Sequence, residues 1–122
     1  MKSLLALIFI STFSTLALAS NIPQLQCFGT EPFWGIKTKS IGSLSFDDPR
    51  AQSPKIYSKL TMKNAEGTTG DFAFQIIALD NANNKLELNI VKSECNDGMS
   101  DEVYPYNALV EFEGHILYGC CK

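Results

Sequence analysis

Apolar and polar residues alternate along most of the chain, which is the pattern of β-strands that bury one face. Turn residues (Asp, Asn, Gly and Pro) separate the alternating runs. The runs are 33–39, 56–62, 71–79, 86–90, 108–112 and 116–120, with a weaker one centred on Leu44 and Phe46. The pattern predicts an all-β protein, a small antiparallel meander that forms a barrel or a sandwich of about 6–8 strands.

The alternation also predicts which side chains are buried. The run 56–62 places Ile56 on the apolar face and Tyr57 on the opposite face. The run 71–79 places Phe72 on its apolar face. Residues 113–115 are predicted to form a hairpin turn between the last two runs.

The first segment has a different pattern. Lys2 precedes an apolar run over 4–18, and the run ends with Ala-Leu-Ala at 17–19. Ser and Thr interrupt this run, and it is shorter than the roughly 20 apolar residues of a membrane-spanning helix. We therefore expect residues 1–19 to be a cleaved signal peptide and residues 20–122 to form one domain.

The expected location of the domain follows from this signal. Cys27 is the first cysteine, so no cysteine stands at the predicted cleavage site to carry a lipid. We expect a soluble, non-lipidated protein that is periplasmic or secreted, without stable membrane insertion after the signal is cleaved.

Four cysteines define the predicted covalent frame: Cys27, Cys95, Cys120 and Cys121. An even number in a short exported chain predicts two disulfides. A bridge between the adjacent Cys120 and Cys121 is excluded, because consecutive side chains of a strand point to opposite faces. Two connectivities remain, of which we favour Cys27–Cys121 with Cys95–Cys120. The chain lacks the Cys-x-x-Cys pairs of a four-thiolate zinc site.

Charge and residue types argue against several function classes. Ten basic and thirteen acidic residues give a net charge of −3, which does not favour nucleic acid as a partner. The single histidine, His115, lies in the predicted hairpin turn, and no Gly-x-Ser-x-Gly motif is present. We predict no enzymatic activity, no catalytic residue, no cofactor and no metal site.

Two clusters combine polar and aromatic residues in the manner of binding surfaces. The first covers 29–34, just after Cys27, and contains Glu31 and the only tryptophan, Trp34. We call Glu31 and Trp34 the rim. Trp34 either binds a partner or closes one end of a barrel. The second is the loop 97–106. Its candidate binding residues are Asp97, Met99, Ser100, Asp101 and Tyr104.

The motifs at 29–34 (GTEPFW), 95–101 (CNDGMSD), 104–106 (YPY) and 119–121 (GCC) resemble a family of small uncharacterised bacterial envelope proteins. Its members are exported proteins or lipoproteins, and some carry the module beside a META-type (heat-shock-protein-like) domain. The resemblance implies a periplasmic setting and supplies no activity. The strand pattern and the disulfides are also similar to small β-barrel inhibitors of C-type lysozyme, although their inhibitory loop is not found here.

These observations lead to three functional hypotheses. The first is a non-enzymatic periplasmic or secreted binding or envelope-stress module. It contacts an unidentified partner, an envelope protein or a small ligand, through the loop 97–106 and the rim at Glu31 and Trp34. The second is an inhibitor of a cell-wall hydrolase such as lysozyme. The third is a carrier with a small-ligand cavity. The side chains that would line this cavity are Phe72, Phe74, Ile76, Leu86, Leu88 and Ile90.

Overall fold

A computed structural model describes residues 22–122, and these residues form strands, turns and loops. The predicted signal peptide lies outside the described residues. Within them, no helix is long and apolar enough to cross a membrane. The strands are β1 (Gln26–Thr30), β2 (Phe33–Lys39), β3 (Ser43–Asp47), β4 (Lys55–Tyr57), β5 (Lys59–Asn64), β6 (Ala73–Leu79), β7 (Lys85–Cys95), β8 (Tyr104–Phe112) and β9 (His115–Cys121).

All nine strands form one antiparallel sheet in the order β4-β3-β2-β1-β9-β8-β7-β6-β5. The two strands at the ends of this order, β4 and β5, are consecutive in the chain and are separated only by Ser58. The sheet therefore curls until its ends meet, which makes an almost closed barrel. The all-β prediction and the antiparallel barrel are confirmed.

The sheet has nine strands rather than about 6–8, because β1 was not among the predicted runs and because the predicted strand 56–62 is broken at Ser58. The chain leaves the β3 side of the sheet there and joins β6. This break shifts the alternation by one residue, so Tyr57 is buried and Ile56 is exposed. The sequence-based assignment of these two side chains was wrong for this reason.

The barrel interior is a single packed cluster of side chains. Phe46 and Phe112 meet edge to face within it, with ring centroids 4.6 Å apart. Five of the six residues predicted to line a cavity are buried in this cluster: Phe74, Ile76, Leu86, Leu88 and Ile90. Phe72 lies before β6 and is half exposed, contrary to its predicted position.

The segment before β1 closes part of the barrel. Ile22 and Leu25 are buried in the interior cluster. The Thr38 hydroxyl donates to the carbonyl of Pro23 at 2.6 Å and accepts from the N–H of Leu25 at 2.8 Å. Thr38 is thus a buried polar residue whose hydrogen bonds are both made within the protein.

Both disulfides have the favoured connectivity, Cys27–Cys121 and Cys95–Cys120. Cys27 faces Cys121 directly across β1 and β9, and this bridge lies in the interior cluster. Cys120 points to the outer side of the barrel wall, where it joins Cys95 in a second cluster. We call the two bridges the inner and the outer disulfide.

Candidate functional site

The outer disulfide is covered by aromatic side chains on the outside of the barrel. Phe28 of β1 and Tyr104 of β8 pack against it, with their ring centroids 4.7 Å apart in an edge-to-face arrangement. This small cluster fixes both ends of the loop 96–103, because Cys95 ends β7 and Tyr104 begins β8. The loop is therefore anchored on the outer surface of β9 and β1.

Side chains of the loop 96–103 hydrogen-bond the backbone of the same loop. Asn96 Oδ1 accepts from the N–H of Gly98 at 2.7 Å, and Asp97 Oδ1 accepts from the N–H of Met99 at 2.9 Å. Ser100 Oγ accepts from the N–H of Glu102 at 3.2 Å. These bonds are the reason that short polar residues are favoured here, since each stabilises a turn.

The two clusters predicted from the sequence meet at one hydrogen bond. The hydroxyl of Thr30, at the end of β1, donates to the carbonyl of Asp97 at 3.3 Å. Two clefts lie beside this contact, and Phe28, Gly29, Thr30 and Asp97 line both of them. The polar-aromatic clusters 29–34 and 97–106 thus form one surface.

We name the two clefts by their position. The seam cleft lies between β1 and β9 and has a volume of about 300 Å³. Its lining is Phe28–Pro32, Asn96, Asp97 and Ile116–Gly119. The aromatic cleft lies on the outer side of β1 and β2 and has a volume of about 420 Å³. Its lining is Gln26, Phe28, Gly29, Thr30, Phe33, Trp34, Asp97, Met99, Tyr104 and Lys122.

Trp34 is packed in the seam between β1 and β9. Its side chain is only 5 % exposed, and its indole N–H donates to the carbonyl of Tyr118 at 3.2 Å. A Cβ on Gly29 would overlap this indole, and a Cβ on Gly119 would overlap the carbonyl of Phe28. The two glycines therefore make room for the indole and for the close approach of the strands.

The pairing of β1 with β9 stops beside this indole. Registered pairs are found only at Cys27 with Cys121 and at Phe28 with Cys120. Beyond them, the Tyr118 carbonyl accepts from Trp34. The strands separate at this point, and the seam cleft is the opening between them.

Some exposed side chains in this region were predicted from the sequence as binding residues, and others were not. Met99 is 66 % exposed in the aromatic cleft, and Glu31 is exposed at the seam cleft. Ser100 and Asp101 are exposed in the loop and line neither cleft. Phe33 is 68 % exposed beside the buried Trp34, because consecutive side chains of β2 point to opposite faces.

Tyr104 is buried under the loop, and its hydroxyl donates to Glu102 Oε2 at 3.0 Å. Desolvation raises the pKa of Tyr104, and so does this hydrogen bond to a carboxylate. Tyr104 is thus a supporting residue of the surface, with its ring on the outer disulfide and its hydroxyl on the loop.

Sequence reasoning missed Ile116 and Tyr118 as surface residues of the seam cleft. They are 67 % and 59 % exposed on the outer side of β9. The available signal was their even spacing from Cys120, of two residues for Tyr118 and four for Ile116, which places all three side chains on the outer face.

The charge of the seam cleft is acidic. Glu31 and Asp97 belong to its lining, and the lining contains no Lys or Arg. Lys122 is the one basic residue of the aromatic cleft. In the part of the chain that the structure describes, no group of three His, Cys, Asp or Glu side chains is placed to hold a metal ion.

No protein-family model, curated protein or solved structure matches this chain. A functional proposal therefore rests on the shape and the chemistry of the two clefts.

Proposed function

We propose that this protein is a non-enzymatic binding module of the periplasm or the extracellular space, which contacts a partner protein through the seam cleft and the aromatic cleft. The observation that carries the proposal is the Thr30–Asp97 hydrogen bond, which joins the two polar-aromatic clusters on one surface. Loops that a rigid scaffold holds in place are frequent sites of binding.

Exposed apolar side chains among acidic ones support a protein partner. Phe33 and Met99 both line the aromatic cleft, and both are about two-thirds exposed. Aromatic residues and Met are enriched in protein interfaces, where they form anchors inside a polar rim. Asp97 lines both clefts, Glu31 lines the seam cleft, and Asp101 is exposed on the same loop as Asp97. Their charge favours a basic partner surface.

The covalent frame supports an extracytoplasmic setting. Two disulfides persist in an oxidising compartment and are rare in reducing ones. The predicted signal peptide over residues 1–19 agrees with that compartment.

The packed interior does not favour a carrier of small ligands. Five of its six proposed cavity residues are buried against one another in the interior cluster. Inhibition of a cell-wall hydrolase would be one form of partner binding, and no feature of the clefts singles it out.

Site-specific photo-crosslinking in the intact cell envelope tests the proposal. A photoreactive amino acid is placed at Phe33 or at Met99, and at Ile41 as a matched control. Ile41 is an exposed apolar residue in the β2–β3 turn, outside both clefts. We expect discrete adducts from Phe33 and Met99 that Ile41 does not give. No adduct at either cleft position, or the same adducts at all three, would contradict the proposal.

A further inference from the structure

β9 is a strand with one fully paired side and one largely open side. It pairs with β8 along its whole length, from His115 to Cys121. On the other side, its pairs with β1 cover only Cys120 and Cys121. Among residues 22–122, no strand pairs with that side of 115–119.

The open edge presents backbone groups to the seam cleft. In an antiparallel sheet, alternate residues direct both their N–H and their C=O towards the same neighbour. Lys122 exchanges such bonds with Gln26, at 2.8 and 2.9 Å, so Ile116 and Tyr118 face the β1 side as well. The Tyr118 carbonyl accepts from Trp34. The N–H of Tyr118 and both backbone groups of Ile116 therefore face the cleft.

Side chains and charges around this edge indicate what fits there. Ile116 and Tyr118 are exposed, and the half-exposed Leu109 stands opposite Tyr118 on β8. Glu31 and Asp97 are the only charged residues that line the cleft. A volume of about 300 Å³ suits a few residues of extended chain rather than a folded domain.

We infer that an extended segment of a partner protein, with apolar and basic side chains on the same face, adds to β9 as an extra strand in the seam cleft. This inference rests on the proposed function and specifies how the partner binds. Main-chain hydrogen bonds to Ile116 and Tyr118 supply affinity, as in other cases of strand addition. On the outer face, the apolar side chains contact Ile116 and Tyr118, and the basic ones of that face approach Asp97 and Glu31.

Hydrogen exchange of the oxidised, exported protein with a model peptide tests the inference. The probe is a capped peptide of roughly eight residues, the length of an ordinary strand, in which valine and lysine alternate along one face and threonine occupies the other face. At saturating peptide, we expect the amides of Ile116 and Tyr118 to exchange about tenfold more slowly, because strand pairing protects them. Unchanged exchange at both amides would overturn the inference.

A peptide with the same sequence in which every backbone amide is N-methylated is the first control. It keeps the side chains and the charge but cannot donate the bonds of a strand. We expect it to give no protection. Equal protection by the two peptides would show that the backbone pairing is not the basis of binding and would overturn the inference.

Ile116→Pro and Ile116→Thr form a matched pair of variants. Proline removes the N–H that faces the cleft, while His115 and Leu117 carry the bonds to β8. Threonine retains that N–H in a strand-compatible residue. We expect the peptide to protect Tyr118 in the threonine variant and not in the proline variant. Protection in both variants would count against strand addition, and the N-methylated peptide decides the matter if the proline variant does not fold.

The outcomes separate this inference from the proposed function. Adducts from Phe33 and Met99 without peptide protection of β9 would overturn strand addition and leave the binding function standing. Absence of adducts would overturn the function, whatever the peptide does. Protection of Ile116 that appears without peptide at high protein concentration would identify a second copy of this chain as the occupant and overturn the basic partner.

Discussion

Each of the two disulfides contains one cysteine of the adjacent pair Cys120 and Cys121, but the two bridges stabilise different regions of the molecule. Cys121 points into the barrel, where its bridge to Cys27 is part of the packed interior. Cys120 points outwards, where its bridge to Cys95 lies under Phe28 and Tyr104. One bridge thus ties β1 to β9 within the barrel, and the other ties the loop 96–103 to the barrel wall.

The comparison shows how a small domain holds its barrel and its surface loop with two separate bridges. Two consecutive residues of one strand face opposite sides of the sheet. A Cys-Cys pair can therefore form one disulfide inside the barrel and another on its outer surface. The inner disulfide closes a sequence separation of 94 residues, and the outer one closes 25. A longer closed loop restricts the unfolded chain more, so the inner disulfide is expected to contribute the larger share of stability.

Removal of the inner disulfide is the largest predicted perturbation. Replacement of Cys27 and Cys121 by Ala should lower the free energy of unfolding by about 4–5 kcal/mol, because the unfolded chain gains the entropy of a long loop. That is close to the whole stability of many small domains. Urea denaturation followed by circular dichroism measures it. A loss smaller than that of the outer pair would contradict the comparison.

Removal of the outer disulfide should have a smaller effect on the barrel. Replacement of Cys95 and Cys120 by Ala is expected to cost about 3–4 kcal/mol in the same denaturation experiment, since the closed loop is shorter. Crosslinking from Met99 should fall more than crosslinking from Phe33, because Met99 lies in the loop and Phe33 in a strand. Equal loss at both positions in a folded variant would argue against a specific role in holding the loop.

The third prediction concerns the close packing of β1 and β9 in the seam beside the inner disulfide. Gly119→Ala should destabilise the protein by about 1–3 kcal/mol, because its Cβ would overlap the carbonyl of Phe28. Gly35→Ala is the matched control in β2, where the nearest atom to a new Cβ is 3.7 Å away. We expect the control to change stability by less than about 0.5 kcal/mol. Similar thermal denaturation of the two variants would refute the close packing of the seam.

The ion pairs at Asp48 give the smallest predicted effect and are remote from both clefts. Asp48 accepts from the backbone N–H and Nε of Arg50, both at 3.0 Å, and from Lys55 Nζ at 3.2 Å. Burial alone would raise the pKa of Asp48, but these hydrogen bonds outweigh it and hold the pKa below its ordinary value.

Because the pKa is lowered on folding, Asp48 stabilises the folded state above its unfolded pKa of about 3.9, and the contribution is lost as the pH falls through the folded pKa. Asp48→Asn should therefore reduce the difference in unfolding free energy between about pH 6 and pH 3. Asp101→Asn, in the exposed loop, is the control. A pH dependence that is unchanged in the Asp48 variant would contradict this assignment.

The fold could be predicted because its signals are local. Alternation identified all the strands except β1, although it treated β4 and β5 as one strand. The opposite orientations of Cys120 and Cys121 excluded a bridge between them. The phase shift at Ser58 could not be predicted, since it depends on where the curled sheet meets its own end. An alternating pattern read across that point assigned Ile56 and Tyr57 to the wrong faces.

The candidate site was predicted in its parts and only partly in its arrangement. The sequence indicated the loop and the segment 29–34, and both lie at the clefts. It left open whether Trp34 is buried or exposed, which depends on space that Gly29 and Gly119 provide from two different strands. The open edge of β9 is a property of tertiary pairing and has no signal in the strand itself.

Residue-resolved hydrogen exchange in the Cys95→Ala, Cys120→Ala protein tests the division between the two disulfides most directly. We predict that the amides of the loop 96–103 lose protection while those of β6 and β7 up to Val91 retain it, because the inner disulfide and the packed interior remain. A uniform loss of protection over the loop and these core strands, or no change in the loop, would contradict the account.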